Sequence, residues 1–286
     1  MNIRKGIILA GGSGTRLYPS TISISKQIIP IYDKPMIYYS LSTLMEAGIK
    51  DILIISSPDD IGSFKKLLKS GKRFGINIDY AVQAKPEGLA QAFIIGEDFL
   101  DGHPSCLILG DNIFYGAGLS KLLQKASVDT ANSSIFSYKV ADPERFGVVE
   151  FDDNDNIMSI QEKPNKPPSS FAVTGLYFFD EKASQYSKVL APSERGELEI
   201  TDLINIYLQK NKLKAFKLSK GFAWLDTGTP ESLLDASNFV STIEKRQGSK
   251  ICCPEEIAFK NKWITRENLL DASKDFNPYN NYLRTL

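Results

Sequence analysis

Short apolar runs alternate with helical stretches over residues 6–110, and this alternation limits the possible folds more than any other feature of the sequence. The strand-like runs are residues 6–10, 51–56, 78–83 and 105–110, and the helical stretches are residues 36–47, 61–70 and 88–100. Strands that alternate with helices form βαβ units, which build a mostly parallel sheet with helices on both faces. The last run is apolar enough for a central strand, so Asp111 is expected at a strand's carboxyl end.

The pattern changes after residue 133 to strand-like segments separated by turns rich in Asp, Asn and Pro. These segments are residues 134–140, 147–151, 157–162 and 173–179. We therefore expect a β-rich lobe inserted within about residues 133–200. A helix at 198–210, a strand at 215–218 and the run 222–225 are then expected to return the chain to the main sheet, with Asp226 ending that run.

A helix is expected to begin at Pro230, because proline suits the first position of a helix. The rest of the chain is also predicted to be mainly helical. Its one weak strand signal is at residues 251–253. The predicted fold class is α/β, with a Rossmann-like, mostly parallel sheet and the inserted lobe in residues 1–230. Residues 231–286 are predicted to form a mainly helical segment packed on that core.

Charge and cysteine content narrow the range of partners. The 286 residues include 34 Lys+Arg and 34 Asp+Glu, which gives no electrostatic reason to expect nucleic acid or an anionic membrane as partner. Cys106 lies in an apolar run and Cys252 adjoins Cys253, which matches neither a disulfide framework nor metal-ligand spacing. The N-terminal apolar run is too short for a signal peptide or a membrane span. A cytoplasmic protein is expected.

A glycine-rich turn follows the first predicted strand and is the clearest candidate ligand site. It consists of Gly11, Gly12, Ser13, Gly14, Thr15 and Arg16. Free backbone N–H groups and a nearby guanidinium suit phosphate oxygens, although the same glycines would also serve a tight βα turn. The turn lacks the lysine of a P-loop and the third glycine of the dinucleotide fingerprint. Asp33 stands near the distance expected of a ribose-binding carboxylate, which keeps a dinucleotide site open at this point.

Several charged residues outside the turn are further candidates. Lys26 is close enough along the chain to add a point charge to the phosphate site. Asp111 and Asp226 each end an apolar run, and two carboxylates meeting at one sheet edge would suit Mg²⁺, although each alone is also typical of a turn or helix cap.

Glu162 and Lys163 precede Pro164, which stops a strand, so both side chains are expected to project from a strand end. Glu162 would accept a hydrogen bond from a sugar hydroxyl and Lys163 would meet a phosphate, although an exposed ion pair is equally consistent with the pattern. His103 is the only histidine, so catalysis based on a Ser/His/Asp or Cys/His arrangement is not expected.

Taken together, the motifs resemble the sugar nucleotidyltransferase family, and within it the glucose-1-phosphate thymidylyltransferases. The resemblance is carried in order by residues 11–19 (GGSGTRLYP), 25–27 (SKQ), 109–112 (LGDN), 142–150 (DPERFGVVE), 162–164 (EKP), 173–177 (VTGLY), 195–202 (RGELEITD) and 224–228 (WLDTG). It extends from residue 6 to about residue 237. Ser40, Ala117 and Pro230 depart from residues common in the family, and none of the three falls on a residue with an assigned catalytic role.

The resemblance implies roles for individual residues and for Mg²⁺. The implied nucleotide-binding residues are Gly11, Gly12, Ser13, Gly14, Thr15, Arg16, Gln27, Gln83, Gly88 and Asp111. The implied sugar-phosphate-binding residues are Asn112, Gly147, Glu162, Lys163 and Val173. The implied catalytic residues are Arg16, Lys26, Asp111, Lys163 and Asp226, of which Asp111 and Asp226 would bind Mg²⁺.

The activity implied by the resemblance is transfer of dTMP from dTTP to glucose 1-phosphate. The products would be dTDP-glucose and pyrophosphate, in the first step of dTDP-rhamnose synthesis. A homotetramer inhibited by the pathway's end product, dTDP-rhamnose, is the family's usual form. Alternatives are a uridylyl- or cytidylyltransferase and a non-catalytic nucleotide-sugar sensor, while a nicotinamide-dependent dehydrogenase fails on the missing third glycine.

Overall fold

The computed structural model describes residues 4–12 and 14–286 as alternating strands and helices. The strands are β1 (Lys5–Leu9), β2 (Pro30–Ile31), β3 (Lys34–Pro35), β4 (Asp51–Ser56), β5 (Asn77–Val82), β6 (Ser105–Leu109), β7 (Asn112–Gly116), β8 (Ser133–Lys139), β9 (Gly147–Phe151), β10 (Ile157–Glu162), β11 (Phe171–Phe179), β12 (Leu213–Leu218) and β13 (Phe222–Asp226). The α-helices are α1 (Ile37–Glu46), α2 (Ile61–Leu68), α3 (Gln91–Ile95), α4 (Glu97–Leu100), α5 (Leu119–Val128), α6 (Ala183–Ser187), α7 (Ile200–Gln209), α8 (Pro230–Gln247), α9 (Pro254–Lys260), α10 (Arg266–Ala272) and α11 (Pro278–Thr285). Within these described ranges, no helix is both long and apolar enough to cross a membrane.

The main sheet has a parallel centre, as the alternating pattern predicts. Strands β6, β1, β4 and β5 lie side by side in parallel, and the described strands of this sheet continue through β11 to β9 and β10. Alternate residues of β1 enter two different core clusters, with Ile8 on one face and Ile7 and Leu9 on the other. A strand buried on both faces needs apolar side chains at successive positions, which explains its unbroken run. The α/β prediction is confirmed.

The predicted lobe strands extend this sheet. Strand β11 is antiparallel to β6, to β8 and, through a single residue pair, to β9, so the lobe continues the sheet at one side. Strand β12 pairs in parallel with β8 and returns the chain to the same sheet. The division of the chain at residues 230 and 231 stays a prediction.

Two local predictions are wrong. The run 222–225 was expected in the main sheet, but β13 pairs instead with β7 in a separate two-stranded antiparallel sheet. Strand β7 was not predicted, because it follows β6 after a turn of only two residues and the sequence reads as the end of the preceding strand. Residues 251–253 form no strand, since the N–H of Ile251 donates to a carboxylate oxygen of Glu244 instead of to a neighbouring strand.

Helix α8 begins at Pro230 as expected. The hydroxyl of Thr229 accepts a hydrogen bond from the Ser232 N–H at 3.2 Å, while the Ser232 hydroxyl accepts one from the Thr229 N–H at 3.0 Å. This reciprocal cap satisfies donors that a helix start leaves unpaired, and proline at the first helical position has no N–H to satisfy. The helix ends before Gly248, whose φ of 65° is a conformation that glycine adopts without strain.

A buried ring of charges joins α8 to the turn between β2 and β3. Lys34, whose side chain is 1% exposed, contacts Asp33 at 2.6 Å and Glu244 at 2.9 Å. Lys250 closes the ring, because its ammonium pairs with both Asp33 and Glu244. Both oxygens of Asp33 are therefore used within the fold, which removes Asp33 from the role of a ribose ligand.

We expect Glu244→Ala to lower the free energy of unfolding by about 3–5 kcal/mol, because it leaves the buried ammonium of Lys34 without one of its two carboxylate partners. The matched control is Glu97→Ala, since Glu97 contacts Lys188 at 2.6 Å in an ion pair whose side chains are both nearly half exposed. That loss should cost about 0–1 kcal/mol. Urea unfolding at one protein concentration measures both values, and equal losses would contradict the structural role of the ring.

Candidate active site

The glycine-rich turn lies directly after β1, at the carboxyl end of the parallel strands. Gly12 has a φ of 100° and Gly14 a φ of 58°, so both need the freedom of glycine. The predicted Ser13 lies outside the described residues. Thr15 and Arg16 form a short 3-10 turn, and the exposed Arg16 side chain reaches across to Gly228. A Cβ atom at Gly228 would lie 2.7 Å from an Nη atom of Arg16.

The two predicted metal-binding aspartates are brought together by the β7–β13 pair. Asp226 is the residue opposite Asn112, which directly follows Asp111. Thr227 strengthens this junction, because its N–H and its hydroxyl both donate to the carbonyl oxygen of Asp111, at 3.2 and 2.8 Å. Asp226 therefore reaches Asp111 through a small antiparallel sheet and not through the main sheet.

The charges around these carboxylates are unevenly distributed. Burial alone would raise the pKa of Asp111, but the ammonium of Lys26, paired with its carboxylate, and a 3.1 Å hydrogen bond from Asn112 outweigh burial and lower it. Burial raises the pKa of Asp226, and the negative charge of Asp111 adds to this effect. Arg16, Lys26 and Arg145, whose guanidinium lies 3.7 Å from Asp226, act in the opposite direction without outweighing burial. The surroundings therefore stabilise the charged form of Asp111 and disfavour the charged form of Asp226.

This pair of carboxylates suits a hard cation. Mg²⁺ is commonly held by one or two carboxylates together with water and substrate phosphates. Among the described residues no group of three or more His, Cys, Asp or Glu side chains forms a metal site. Asp111 and Asp226 therefore fit an ion that takes its remaining ligands from substrate and solvent.

The predicted sugar-phosphate residues gather around Glu162. Its carboxylate accepts hydrogen bonds from Thr201 at 2.5 Å and from Arg195 at 3.1 Å. Gly147 faces this carboxylate, since a Cβ there would lie 3.5 Å from Glu162 Oε2. Lys163 has a φ of 40° and its N–H donates to the Phe146 carbonyl at 3.0 Å, so the strand end turns sharply and leaves the Lys163 side chain about half exposed.

Asn112, also predicted to bind sugar phosphate, lines one cavity with Glu162 but uses its side chain in the fold. Its amide oxygen accepts hydrogen bonds from Trp224 at 2.6 Å and from the Gly175 N–H at 3.1 Å, and its amide nitrogen donates to Asp111. The described contacts of Asn112 thus hold Asp111 and the β7–β13 pair in place.

The predicted nucleotide-binding residues Gln27, Gln83 and Gly88, which lie outside the glycine-rich turn, form a third group. Gln83 is buried, donates to Gln91 at 2.6 Å and packs so closely on Gly11 that a Cβ there would lie 2.5 Å from Gln83 Oε1. Gln27 is also buried, and its amide oxygen accepts a 2.5 Å hydrogen bond from Ser25. Gly88 has a φ of 105° and lies against the backbone of Leu198.

Lys26 lies where three cavities meet. The largest of these three, about 570 Å³, includes Arg16, Lys26, Asp111, Asn112, Gly147, Glu162, Lys163, Val173 and Asp226 in its lining. A second, about 360 Å³, is lined in part by Gly11, Gly12, Gly14, Lys26 and Gln83, and a third, about 170 Å³, in part by Gly11, Gly12, Lys26, Gln27, Gln83, Gly88 and Asp111. Thr15 does not line any of these three. The predicted nucleotide and sugar-phosphate residues therefore occupy adjoining cavities with one lysine in common.

The sequence did not single out several residues of the largest cavity. Arg145 and Arg195 supply guanidinium groups, and Thr201 and Glu199 surround Glu162 and Arg195. Arg145, Arg195, Glu199 and Thr201 lie in motifs 142–150 and 195–202, so the resemblance marked the segments. The individual residues were missed because the sequence around a charged loop residue does not show which distant side chain it will pair with.

Comparison with known proteins gives a consistent result. The nucleotidyl transferase family model matches residues 5–243. A glucose-1-phosphate thymidylyltransferase of Xanthomonas campestris pv. campestris (strain B100) is 57% identical over 288 residues, covering 100% of this chain and 98% of that protein. A solved Bacillus anthracis protein in complex with a sucrose is 42% identical with a TM-score of 0.77, over 82% of this chain and 94% of that one. A UDP-glucose pyrophosphorylase complexed with UDP-glucose is 26% identical with a TM-score of 0.74, and the match covers 85% of this chain and 100% of that one.

We expect Gly228→Ala to weaken binding of a nucleoside triphosphate about tenfold, because the new methyl group would displace the Arg16 guanidinium and a charged hydrogen bond is worth about 1.5–3 kcal/mol. Gly228 does not have a positive φ, so alanine adds no backbone strain there. Isothermal titration measures the dissociation constant, with Gly62→Ala as a control whose methyl group would meet no atom within 4 Å. A value within twofold of wild type would exclude this placement of Arg16.

Proposed function

The chain belongs to the glucose-1-phosphate thymidylyltransferase family of nucleotidyl transferases, and we propose that it transfers dTMP from dTTP to α-D-glucose 1-phosphate. The products are dTDP-glucose and pyrophosphate, and the reaction is the first step of dTDP-rhamnose synthesis. The observation that carries this proposal is the position of Lys26 between the cavity of the glycine-rich turn and the cavity of Glu162. Two phosphorylated substrates seated in these cavities would present their phosphates to one ammonium.

The proposed reaction needs charge compensation more than proton transfer. A phosphate oxygen of the sugar phosphate attacks the α-phosphorus of dTTP, and the bond to pyrophosphate breaks. The nucleophile is already an anion at neutral pH, so a general base is not required. His103, whose Nδ1 lies 2.9 Å from the Leu100 carbonyl oxygen, is not in the lining of the three cavities. Alignment of the substrates and stabilisation of developing charge are what the protein supplies.

The nucleotide side provides these functions through the glycine-rich turn and through residues 83–90, here called the base loop. Backbone N–H groups of the turn, among them those of Gly11, Gly12 and Gly14, meet the triphosphate, and Ser13 and Thr15 are assigned to the same set by resemblance. Arg16 and Lys26 stabilise the negative charge that develops on the leaving group. Gln83 recognises the base with Gly88 and Gln27, because its buried amide lies in the lining of both smaller cavities.

The sugar side holds the nucleophile. Glu162 accepts a hydrogen bond from a glucose hydroxyl, since its carboxylate lies in the largest cavity and is already oriented by Thr201 and Arg195. Lys163 meets the phosphate of the sugar, for which its exposed side chain has the needed freedom. Gly147 and Val173 form the wall beside Glu162.

Asp111 and Asp226 are proposed to hold Mg²⁺, with Asn112 and Thr227 fixing Asp111. A bound Mg²⁺ would neutralise phosphate charge during the transfer. The repulsion between the two carboxylates supports the assignment, because the charge of Asp111 raises the pKa of Asp226 and a cation held between them would relieve that repulsion.

The activity is tested by mixing the chain with nucleoside triphosphates and hexose 1-phosphates and measuring pyrophosphate. We expect release with dTTP, glucose 1-phosphate and Mg²⁺, and no release when EDTA is present. UTP is the informative competitor, because it differs from dTTP only by the absent base methyl group and by a ribose 2′-hydroxyl; a methyl group alone distinguishes ligands by about 10–200-fold. A higher kcat/KM for UTP than for dTTP would replace the proposal with the uridylyltransferase alternative, which the likeness to UDP-glucose pyrophosphorylase favours.

We expect Lys26→Ala and Arg16→Ala to lower kcat by about 10³, since each removes a cation that stabilises phosphoryl-transfer charge. Lys166→Ala is the matched control, because Lys166 is exposed and is not in the lining of the cavities around Lys26. Near-wild-type turnover in either variant would remove that residue from the catalytic set. Nucleotide binding without turnover by the wild-type chain would favour the non-catalytic sensor.

Assembly as a homotetramer in the cytoplasm and inhibition by dTDP-rhamnose are proposed from the family resemblance. Light scattering should give four times the chain mass of 31.8 kDa. Adding dTDP-rhamnose should reduce turnover even at saturating dTTP, because the inhibitor would bind away from the catalytic cavity. A monomer, or inhibition fully overcome by dTTP, would contradict these two assignments, and cell fractionation checks the compartment.

A further inference from the structure

Residues 193–199, here called the bridge segment, touch both halves of the candidate site. Of the three cavities that share Lys26, Glu197 lines the largest together with Glu162 and the smallest together with Gln83 and Gly88. The segment therefore lies between the proposed base site and the proposed sugar site.

The bridge segment is fixed to the base loop through the backbone. The N–H of Leu198 donates to the Glu87 carbonyl at 2.7 Å, and the N–H of Ala90 donates to the Leu198 carbonyl at 3.1 Å. Gly88 lies between these bonds, so close that a Cβ there would be 2.4 Å from the Leu198 carbonyl oxygen. A shift of the base loop must therefore move Leu198 with it.

The same segment is fixed to the sugar site through charges. Arg195 donates to Glu162 at 3.1 Å and to Glu199 at 2.8 Å. Ser193 also donates to Glu199, at 2.7 Å, and its carbonyl accepts from the Gly196 N–H at 2.8 Å. The turn is thus internally braced, so that displacement of Leu198 would be transmitted to Arg195 and then to Glu162.

We propose that the bridge segment couples the two substrate sites, so that a nucleoside seated against Gln83 and Gly88 strengthens binding of the sugar phosphate at Glu162. This inference rests on the proposed function, because it takes the two cavities as the base site and the sugar site. The bridge segment acts through Glu162, so its residues position the site instead of performing the reaction. Coupling of this kind is reciprocal, and each ligand raises the affinity of the other by the same factor.

Thymidine is the suitable probe, since it carries no phosphate and cannot attract or repel the sugar phosphate directly. We expect saturating thymidine to lower the dissociation constant of glucose 1-phosphate about fivefold or more, as measured by isothermal titration. Saturating glucose 1-phosphate should lower that of thymidine by the same factor. An unchanged or raised dissociation constant for glucose 1-phosphate, in a protein shown to bind thymidine, would overturn the proposal.

Two glycine variants provide the second test. Gly88→Ala places a methyl group against the Leu198 backbone and should weaken binding of glucose 1-phosphate alone about fivefold, although Gly88 belongs to the base site. Gly102→Ala is the matched control, because Gly102 also has a positive φ, 69°, its methyl group would meet no atom within 4 Å, and it lies outside the bridge segment and outside the lining of the three cavities. The dissociation constant of this control variant for glucose 1-phosphate should stay within twofold of the wild-type value. Equal affinities in the two variants would overturn the coupling.

Thermal unfolding checks that each variant is folded. If Gly88→Ala does not fold, the titrations of the wild-type chain with thymidine and glucose 1-phosphate decide whether the two sites are coupled. If thymidine does not bind, the assignment of the base site fails and the glycine pair decides the coupling. Coupled binding without pyrophosphate release would leave the inference standing and reject the proposed function. Normal turnover with uncoupled binding would reject the inference and leave the proposed function standing.

Discussion

The pairing of β7 with β13 is the contact on which the candidate active site depends. It places Asp226 opposite Asn112 and therefore beside Asp111, although the two aspartates are distant in sequence. Trp224 and Thr227 reinforce the pair by hydrogen bonds to Asn112 and to the Asp111 carbonyl. Because Asn112 and Thr227 use their polar atoms in this way, the carboxylate pair is held in place before any ligand arrives.

The rest of the site follows from the need to bring two polyanions together. Lys26 neutralises Asp111 at the junction of three cavities, while Arg16 approaches from the glycine-rich turn. On the opposite side, Arg195 is bound to Glu162 and Glu199. The charged side chains that line the cavity of Glu162 are therefore balanced, with five cations against five carboxylates, as they are in the chain as a whole.

Two further sets of contacts support the candidate site. The buried charge ring around Lys34 and Glu244 ties α8 to the β2–β3 turn, which follows Lys26 closely along the chain. The bridge segment ties the base loop to Glu162. In both cases loops that carry site residues are held by backbone hydrogen bonds or buried ion pairs, so the site is largely preorganised.

The sequence by itself determined the α/β class, most helices and strands, and the tight turn at Gly12 and Gly14, whose role in binding phosphate stays a prediction. These depend on local patterns of apolar residues and on conformations that glycine adopts freely. Only the tertiary structure decided that Asp226 meets Asp111 through β13 and that Asp33 and Asn112 are used in the fold. The reason is physical: a charged side chain's partner is set by strand register and packing between distant segments, which no local pattern encodes.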